Sequence, residues 1–260
     1  MTPGQALAQL SANASLYDLR DRAARKRSAA DLRKMFFALL PAVAPDLFIE
    51  AGARDGTGAR RARRLLPDTR VLAYEGNPHI HARFAARHDF AALGIDYVQS
   101  ALSDTDSPVT FKVLTADRHM SQAKHSGRSS LMERADPKAE YETVTVPGVR
   151  LDSLAPDVAR AALWLDVEGA TDKVLTGGGA LLDRTALMMI EVESAPFWPG
   201  QWLAHDVLAN AMARGLVPVA RDYERKQQFN ILFLSETTLT RPEVLPVLEM
   251  QHSLARYRQD

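Results

Sequence analysis

The sequence predicts an α/β fold: a mostly parallel sheet with helices on both faces, preceded by a helical extension. Three observations carry the prediction. Short apolar runs near 46–51, 71–75 and 95–100 alternate with helical stretches near 57–66 and 78–89, the pattern of βαβ units. The first run leads directly into Gly52, Gly56 and Gly58, a turn poor in side chains. Four strand ends carry acids: Glu50, Glu75, Asp166 with Glu168, and Glu191 with Glu193. In open parallel sheets ligands sit beyond the carboxyl ends of the strands, so these acids gather on the edge where a site belongs.

Composition narrows the class. The chain has 260 residues, 46% of them apolar, which suffices for one large domain with a substantial core. Thirty-two basic residues balance 32 acidic ones, which gives no electrostatic case for a nucleic-acid partner. With no cysteine, disulfides and thiolate chemistry are excluded. No basic-then-apolar signal pattern opens the chain, and no run reaches the roughly 20 apolar residues of a membrane span. A cytoplasmic setting is expected.

Taken in order, residues 5–40 read as helical, punctuated only by Gly4 and Pro41, and 1–44 form an extension to a domain spanning 45–260. Arg20, Arg22, Arg25, Lys26 and Arg27 make this segment basic; a solvated helix face explains them, and the helix could also pair two subunits into a homo-oligomer. Residues 109–114 and 141–149 alternate apolar and polar positions as half-exposed strands do. Between them, 115–140 is long, polar and without a period, as lids and binding loops are. Further strands are expected at 162–165, 187–190, 216–221 and 229–234, with helices near 170–182, 202–214 and 241–258.

The turn after the first strand argues for a ribose-bearing cofactor. A dinucleotide fold wants Gly-x-Gly-x-x-Gly here, and counting from Gly52 the required positions hold Arg54 and Thr57. What stands instead is acid-x-Gly-x-x-x-Gly-x-Gly, Glu50 to Gly58, which suits a ligand without a pyrophosphate. Glu75, at the tip of the second strand, can accept two hydrogen bonds from a ribose diol. Together these point to S-adenosylmethionine. Glu50, Gly52, Ala53, Arg54, Gly56 and Glu75 are the central candidates for holding it. Asn77, Ser100, Ala101, Ser129 and Asp166 complete the set. Asn77-Pro78 also reads as a helix cap followed by proline in the first turn.

Asp166 is the first candidate for chemistry. A carboxylate held rigidly after a buried strand can take the proton of an attacking hydroxyl. Glu168 stands beside it, and His125, in the long loop, is a second base candidate. Asp166, Glu191 and Glu193 are also a candidate oxygen ligand set for a hard divalent cation such as magnesium. Trp198 and Trp202 are candidates for an apolar wall beside the acceptor.

The residues that carry these readings also match a known family. Phe48-Ile49-Glu50-Ala51-Gly52-Ala53, Ala73-Tyr74-Glu75-Gly76-Asn77-Pro78, Ser129-Ser130-Leu131, Val149 to Leu154, Trp164 to Ala170 and Ile190 to Glu193 occur in the family's order. Over roughly residues 45–235 the chain resembles the FkbM-type S-adenosylmethionine-dependent methyltransferases. The resemblance implies a seven-stranded class I methyltransferase sheet whose last strand runs antiparallel. It further implies O-methylation of a sugar, glycan or natural-product hydroxyl, so that the partner is a small-molecule or glycan acceptor. By the same resemblance Glu50, Gly52 and Glu75 hold the cofactor, Asp166 and Glu168 lie at the transfer site, and Ser129-Ser130 face the ligand. The family usually has lysine where this chain has Trp164, and commonly an acid where it has Asn230. The alternatives are a binding or scaffold protein that keeps the fold without turnover, and a nucleic-acid methyltransferase using the basic N-terminal segment.

Overall fold

Seven strands form one sheet, and its parallel strands end along a single edge, at Ala51, Glu75, Gln99, Leu165 and Glu193. The computed structural model describes residues 1–124, 126–154 and 157–249. The chain opens with α1 (Pro3–Ala12), started by a capping box between Thr2 and Gln5, and continues through a 3₁₀ turn at Asn13–Leu16. Helix α2 (Arg22–Val43) starts at Asp21, whose carboxylate accepts the N–H groups of Ala23 and Ala24. The single helical stretch expected over 5–40 is therefore two helices, because Asp21 caps a new start. Pro41 sits inside the last turn of α2 without stopping it; the helix ends at Ala44, which is left-handed (φ 47°).

The remaining elements are β1 (Leu47–Ala51), α3 (Thr57–Leu65), β2 (Arg70–Glu75), α4 (Pro78–Ala85), β3 (Ile95–Gln99), β4 (Ala101–Leu102), β5 (Val109–Ala116), β6 (Glu140–Val146), β7 (Gly148–Val149) and α5 (Leu151–Leu154), followed by β8 (Ala161–Leu165), α6 (Thr171–Thr176), α7 (Gly179–Leu182), β9 (Thr185–Glu193), α8 (Ala204–Ala213), β10 (Leu216–Arg221), β11 (Gln228–Ser235) and α9 (Glu236–Leu239). The helix expected over 78–89 stops at Ala85. The one expected over 170–182 divides at Gly177-Gly178, where a Cβ would meet the Ser103 carbonyl at 2.0 Å and the Leu151 side chain at 2.7 Å. Of the tail helix expected over 241–258, residues 245–249 are helical and 250–258 lie outside the described residues.

The main sheet runs β10-β11-β9-β8-β1-β2-β3, with β11 antiparallel to both neighbours and the other pairs parallel. This is the seven-stranded sheet with an antiparallel last strand that the resemblance implies. The ribbon β5–β6 stands outside it as a separate antiparallel pair.

Strand alternation sorts side chains onto two cores. Phe48, Val71, Ala73, Ala162, Met189 and Leu232 face α2 and α3. Ile49, Leu72, Leu163, Met188, Ile190 and Ile231 face α1, α6, α7 and α8. The N-terminal helices thus lie on opposite faces of one sheet. Parity has a consequence at the edge: Glu50 shares the side of Phe48, and Glu75 that of Val71 and Ala73, so both acids point toward the α3 layer.

Candidate active site

The carboxyl edge of the sheet opens into a cavity of about 390 Å³, within the size range of small-ligand sites. Its first wall is the turn after β1. Gly52 has φ +72°, and a Cβ there would stand 1.8 Å from the carbonyl oxygen of Asp166. Only glycine lets the β1 and β8 tips approach this closely, and the Asp166 N–H holds them by donating to the Ala51 carbonyl at 3.0 Å. Arg54 is also left-handed (φ 48°), a conformation that costs a side-chain-bearing residue about 1 kcal/mol. Its N–H donates to Glu75 Oε2 at 2.9 Å, a charge-assisted bond that offsets the strain.

Glu75 accepts a second backbone bond, from Asn77 N–H to Oε1 at 2.7 Å. Burial pushes its pKa up to about 7 against both amides. Each oxygen keeps a further lone pair, and Glu75 bounds the cavity. Glu50 also bounds it, but its oxygens are engaged with α3, accepting from Gly58 N–H at 3.1 Å and Ala59 N–H at 2.7 Å. Gly56 caps that helix without a side chain, so Glu50 supplies the missing acceptor. Burial raises the Glu50 pKa to about 8.

Ala53, Arg54, Ser100, Ala101, Ser129 and Asp166 line the cavity, as the sequence suggests. Gly56 and Asn77 do not. Gly56 turns toward Phe90, which a Cβ would meet at 2.5 Å. Asn77 is fully buried behind the wall, where its carbonyl caps α4 and its amide donates to Lys124 O (3.0 Å) and Ser129 Oγ (3.1 Å). Of the Ser129-Ser130 pair only Ser129 reaches the cavity; Ser130 is buried in a ladder with Lys112. His125 lies outside the described residues. Leu131, which follows the Ser129-Ser130 pair in the family's order, also lines the cavity, as do Ser126, Gly127 and Arg128, which sequence reasoning did not single out. An ion pair between Arg128 and the buried Asp117 at 2.6 Å crosses the base of their segment.

The other end of the cavity is acidic. Pairing of Leu165 with Ile190 sets Asp166 beside Glu191. Carboxylate oxygens of Asp166, Glu168 and Glu191 lie within 4.8 Å of one another, all three side chains half-buried. Glu193 is not in this group and does not line the cavity: Gln201 and Gln228 donate to its two oxygens at 2.9 and 3.2 Å. The same Gln228 amide donates to Glu191 Oε2 at 2.8 Å. The Asp166 and Glu191 carboxyls interact directly; burial and acidic neighbours raise Glu191 well above the usual carboxylate range, and burial raises Asp166. Burial and the Asp166 charge push Glu168 up to about 8, and burial lifts Glu193 to about 7. Glu168 also has positive φ (48°), and its Oε2 is buried without a partner.

Trp198 is no open wall: it is fully buried against Gly169, where a Cβ would meet its ring at 2.4 Å. Trp202 packs against the core. Trp164 does line the cavity, and its indole stacks edge-on against Phe36 and Phe37 of α2 at 5.7 and 5.5 Å. At Asn230 an acid is present by another route, since its amide donates to the buried Asp222 at 2.7 Å.

A turn of glycine against a neighbouring strand tip, a strand-end glutamate and a carboxylate group now stand around one cavity. The model of the methyltransferase FkbM domain matches residues 50–228, which contain all of these features. The chain belongs to the FkbM methyltransferase family. As a member it is a methyltransferase, and its sheet is the class I methyltransferase sheet. It is 25% identical over 184 residues to the 2-O-methyltransferase NoeI of Sinorhizobium fredii (strain NBRC 101917 / NGR234), a match covering 67% of this chain and 74% of that one. Among solved structures it is similar to a methyltransferase FkbM from Methylobacillus flagellatus (10% identity, 72% of this chain and 44% of that one, TM-score 0.41). It is also similar to a precorrin-6y C5,15-methyltransferase from Geobacter metallireducens (11% identity, 77% and 87%, TM-score 0.37). Among the described residues no helix is long and apolar enough to cross a membrane.

Proposed function

We propose that this protein is an S-adenosylmethionine-dependent O-methyltransferase acting on a hydroxyl of a sugar, glycan or natural product. One observation carries the reading: the glycine turn with Glu75 and the Asp166–Glu168–Glu191 group bound the same cavity at different places. The similarity to a protein named as a 2-O-methyltransferase supports it. The cradle fits the cofactor: the turn at Gly52 leaves no room for a Cβ, and Glu75 keeps acceptor capacity for a ribose diol.

When bound, S-adenosylmethionine supplies an electrophilic methyl on a sulfonium. Gly52, Ala53 and Arg54 would grip its amino-acid end, Glu75 its ribose, and Ser100, Ala101 and Ser129 its remaining flank. Asp166 would align the acceptor hydroxyl and take its proton, leaving the oxygen to receive the methyl that the cofactor supplies. Glu191, fixed by Gln228 and in contact with Asp166, orients that carboxylate; Glu168 holds a neighbouring acceptor hydroxyl. Rate comes mainly from alignment of the acceptor and from its desolvation on binding. The acids offer a divalent cation an incomplete oxygen set, because Glu191 Oε2 accepts from Gln228 and both oxygens of Glu193 are taken by Gln201 and Gln228.

The test is methyl transfer to a panel of hydroxylated acceptors. Asp166→Asn should lower kcat by about 10²–10⁴-fold, the range of general acid–base contributions, while cofactor affinity stays within about threefold. Unchanged turnover would remove Asp166 from the mechanism. Cofactor binding without transfer to any acceptor would favour the scaffold alternative, for which Trp164 in place of the family's usual lysine speaks.

A further inference from the structure

We propose that Arg225 selects the acceptor: its guanidinium, at the mouth of the cavity, receives a carboxylate or phosphate that the acceptor carries beside the hydroxyl entering toward Asp166. The proposal rests on the transferase reading above and narrows its acceptor class to anionic saccharides or comparable hydroxylated anions.

Arg225 lies in the turn between β10 and β11, an exposed residue that nonetheless lines the same cavity as Asp166. It is tethered, since one guanidinium N–H donates to Gln228 Oε1. Gln228 is in turn buried and fastened to Glu191 and Glu193. The guanidinium is thus positioned on the same frame as the acids instead of swinging freely from the surface. A guanidinium has five donors in a planar fork; among the described residues Arg225 spends one on Gln228 Oε1, and its charge acts on Asp166 and Glu168 without a direct ion pair. An oriented fork with unspent donors matches a carboxylate or phosphate in two-point fashion.

The surroundings carry the same sign. Tyr223 N–H donates to Ser28 Oγ at 2.8 Å, which seats the N-terminal half of α2 against the turn that holds Arg225. Exposed Arg22, Lys26 and Arg27 lie in that half, and Lys226 follows Arg225. The acids nearby are Asp18, Asp21 and Glu224, and Asp21 is committed to capping α2. Arg22, Lys26, Arg27 and Lys226 do not themselves line the cavity; Arg225 does. The cavity floor holds Asp166, Glu168 and Glu191, which offer partners to a hydroxyl and no cation to an anion. An anionic acceptor can therefore bind in one sense only, charge at the rim and hydroxyl inward.

The simpler role for Arg225 is to balance the buried acids, and the experiment separates the two. With the protein saturated in S-adenosylhomocysteine, binding of methyl glucoside, glucuronate and glucose 6-phosphate is measured by titration calorimetry for the wild type, Arg225→Gln and Arg225→Lys. The wild type should bind at least one anionic sugar tenfold or more tighter than methyl glucoside. Arg225→Gln should erase that preference and leave methyl glucoside within about twofold, and Arg225→Lys should retain part of it. Whether glucuronate or glucose 6-phosphate gains more identifies the anion as carboxylate or phosphate. No preference in the wild type, including no binding of any probe, overturns the proposal. So does an equal loss for all three sugars in Arg225→Gln, the signature of a charge that merely supports the acids. Failure of the protein to bind S-adenosylhomocysteine at all would instead refute the transferase reading.

Discussion

The two ends of the cavity are built from different materials. Around Gly52 and Glu75 the contacts are main-chain: Arg54, Asn77, Gly58 and Ala59 all present backbone N–H groups to the two strand-end glutamates. Around Asp166 they are side-chain: Glu191, Glu193, Gln201, Arg225 and Gln228 arrive from separate segments and hold one another through amides and carboxyls. A backbone cradle is set by where glycine is required and is indifferent to most other side chains. A side-chain network can be altered one residue at a time. The first suits a ligand common to many relatives, and the second a ligand that differs between them.

The largest effect should come from breaking the cradle. Gly52→Ala places a methyl against the Asp166 carbonyl in a backbone conformation alanine avoids. It should cost roughly 3 kcal/mol or more of stability, as strain combined with overpacking does, and abolish S-adenosylhomocysteine binding, read by urea unfolding and calorimetry. Breaking the network should be milder. Gln228→Ala removes the donor shared by Glu191 and Glu193 and should lower kcat by about tenfold, the worth of one bond to a charged group, with the cofactor affinity preserved. The smallest effect sharpens the contrast through pH. Glu75 has a pKa raised to about 7, and its ionised form is the better acceptor for a ribose diol. S-adenosylhomocysteine affinity should therefore rise as pH goes from about 6 to 8 and flatten in Glu75→Gln. A flat profile in the wild type would take Glu75 out of the ribose contact.

The same contrast explains what could be read from the chain. The turn from Glu50 to Gly58 is local, so its glycines and the acid before them announce it, and strand parity places Glu75 on the same side. Asp166, Glu168 and Glu191 were legible as strand-tip acids because a parallel sheet aligns its tips. Glu193 was not separable from Glu191, since only the antiparallel pairing of β11 brings Gln228 onto it. Arg225 and Gln228 lie in and just after a polar turn with no periodic signal, and Ser126 to Arg128 in a loop without one. The break between α1 and α2 depended on Asp21 acting as a cap, which competes with the helix propensity around it. Gly56 and Asn77, named as candidates for holding the cofactor, stand behind the cavity wall, a distinction that depends on which way each residue turns.

The central claim is that the glycine turn and Glu75 hold the methyl donor. Calorimetric titration of S-adenosylhomocysteine into the wild type and Glu75→Ala tests it most directly. The account predicts measurable binding to the wild type and a loss of about 10- to 100-fold in the variant, the worth of a charged group's hydrogen bonds. Binding of equal tightness in both would contradict it.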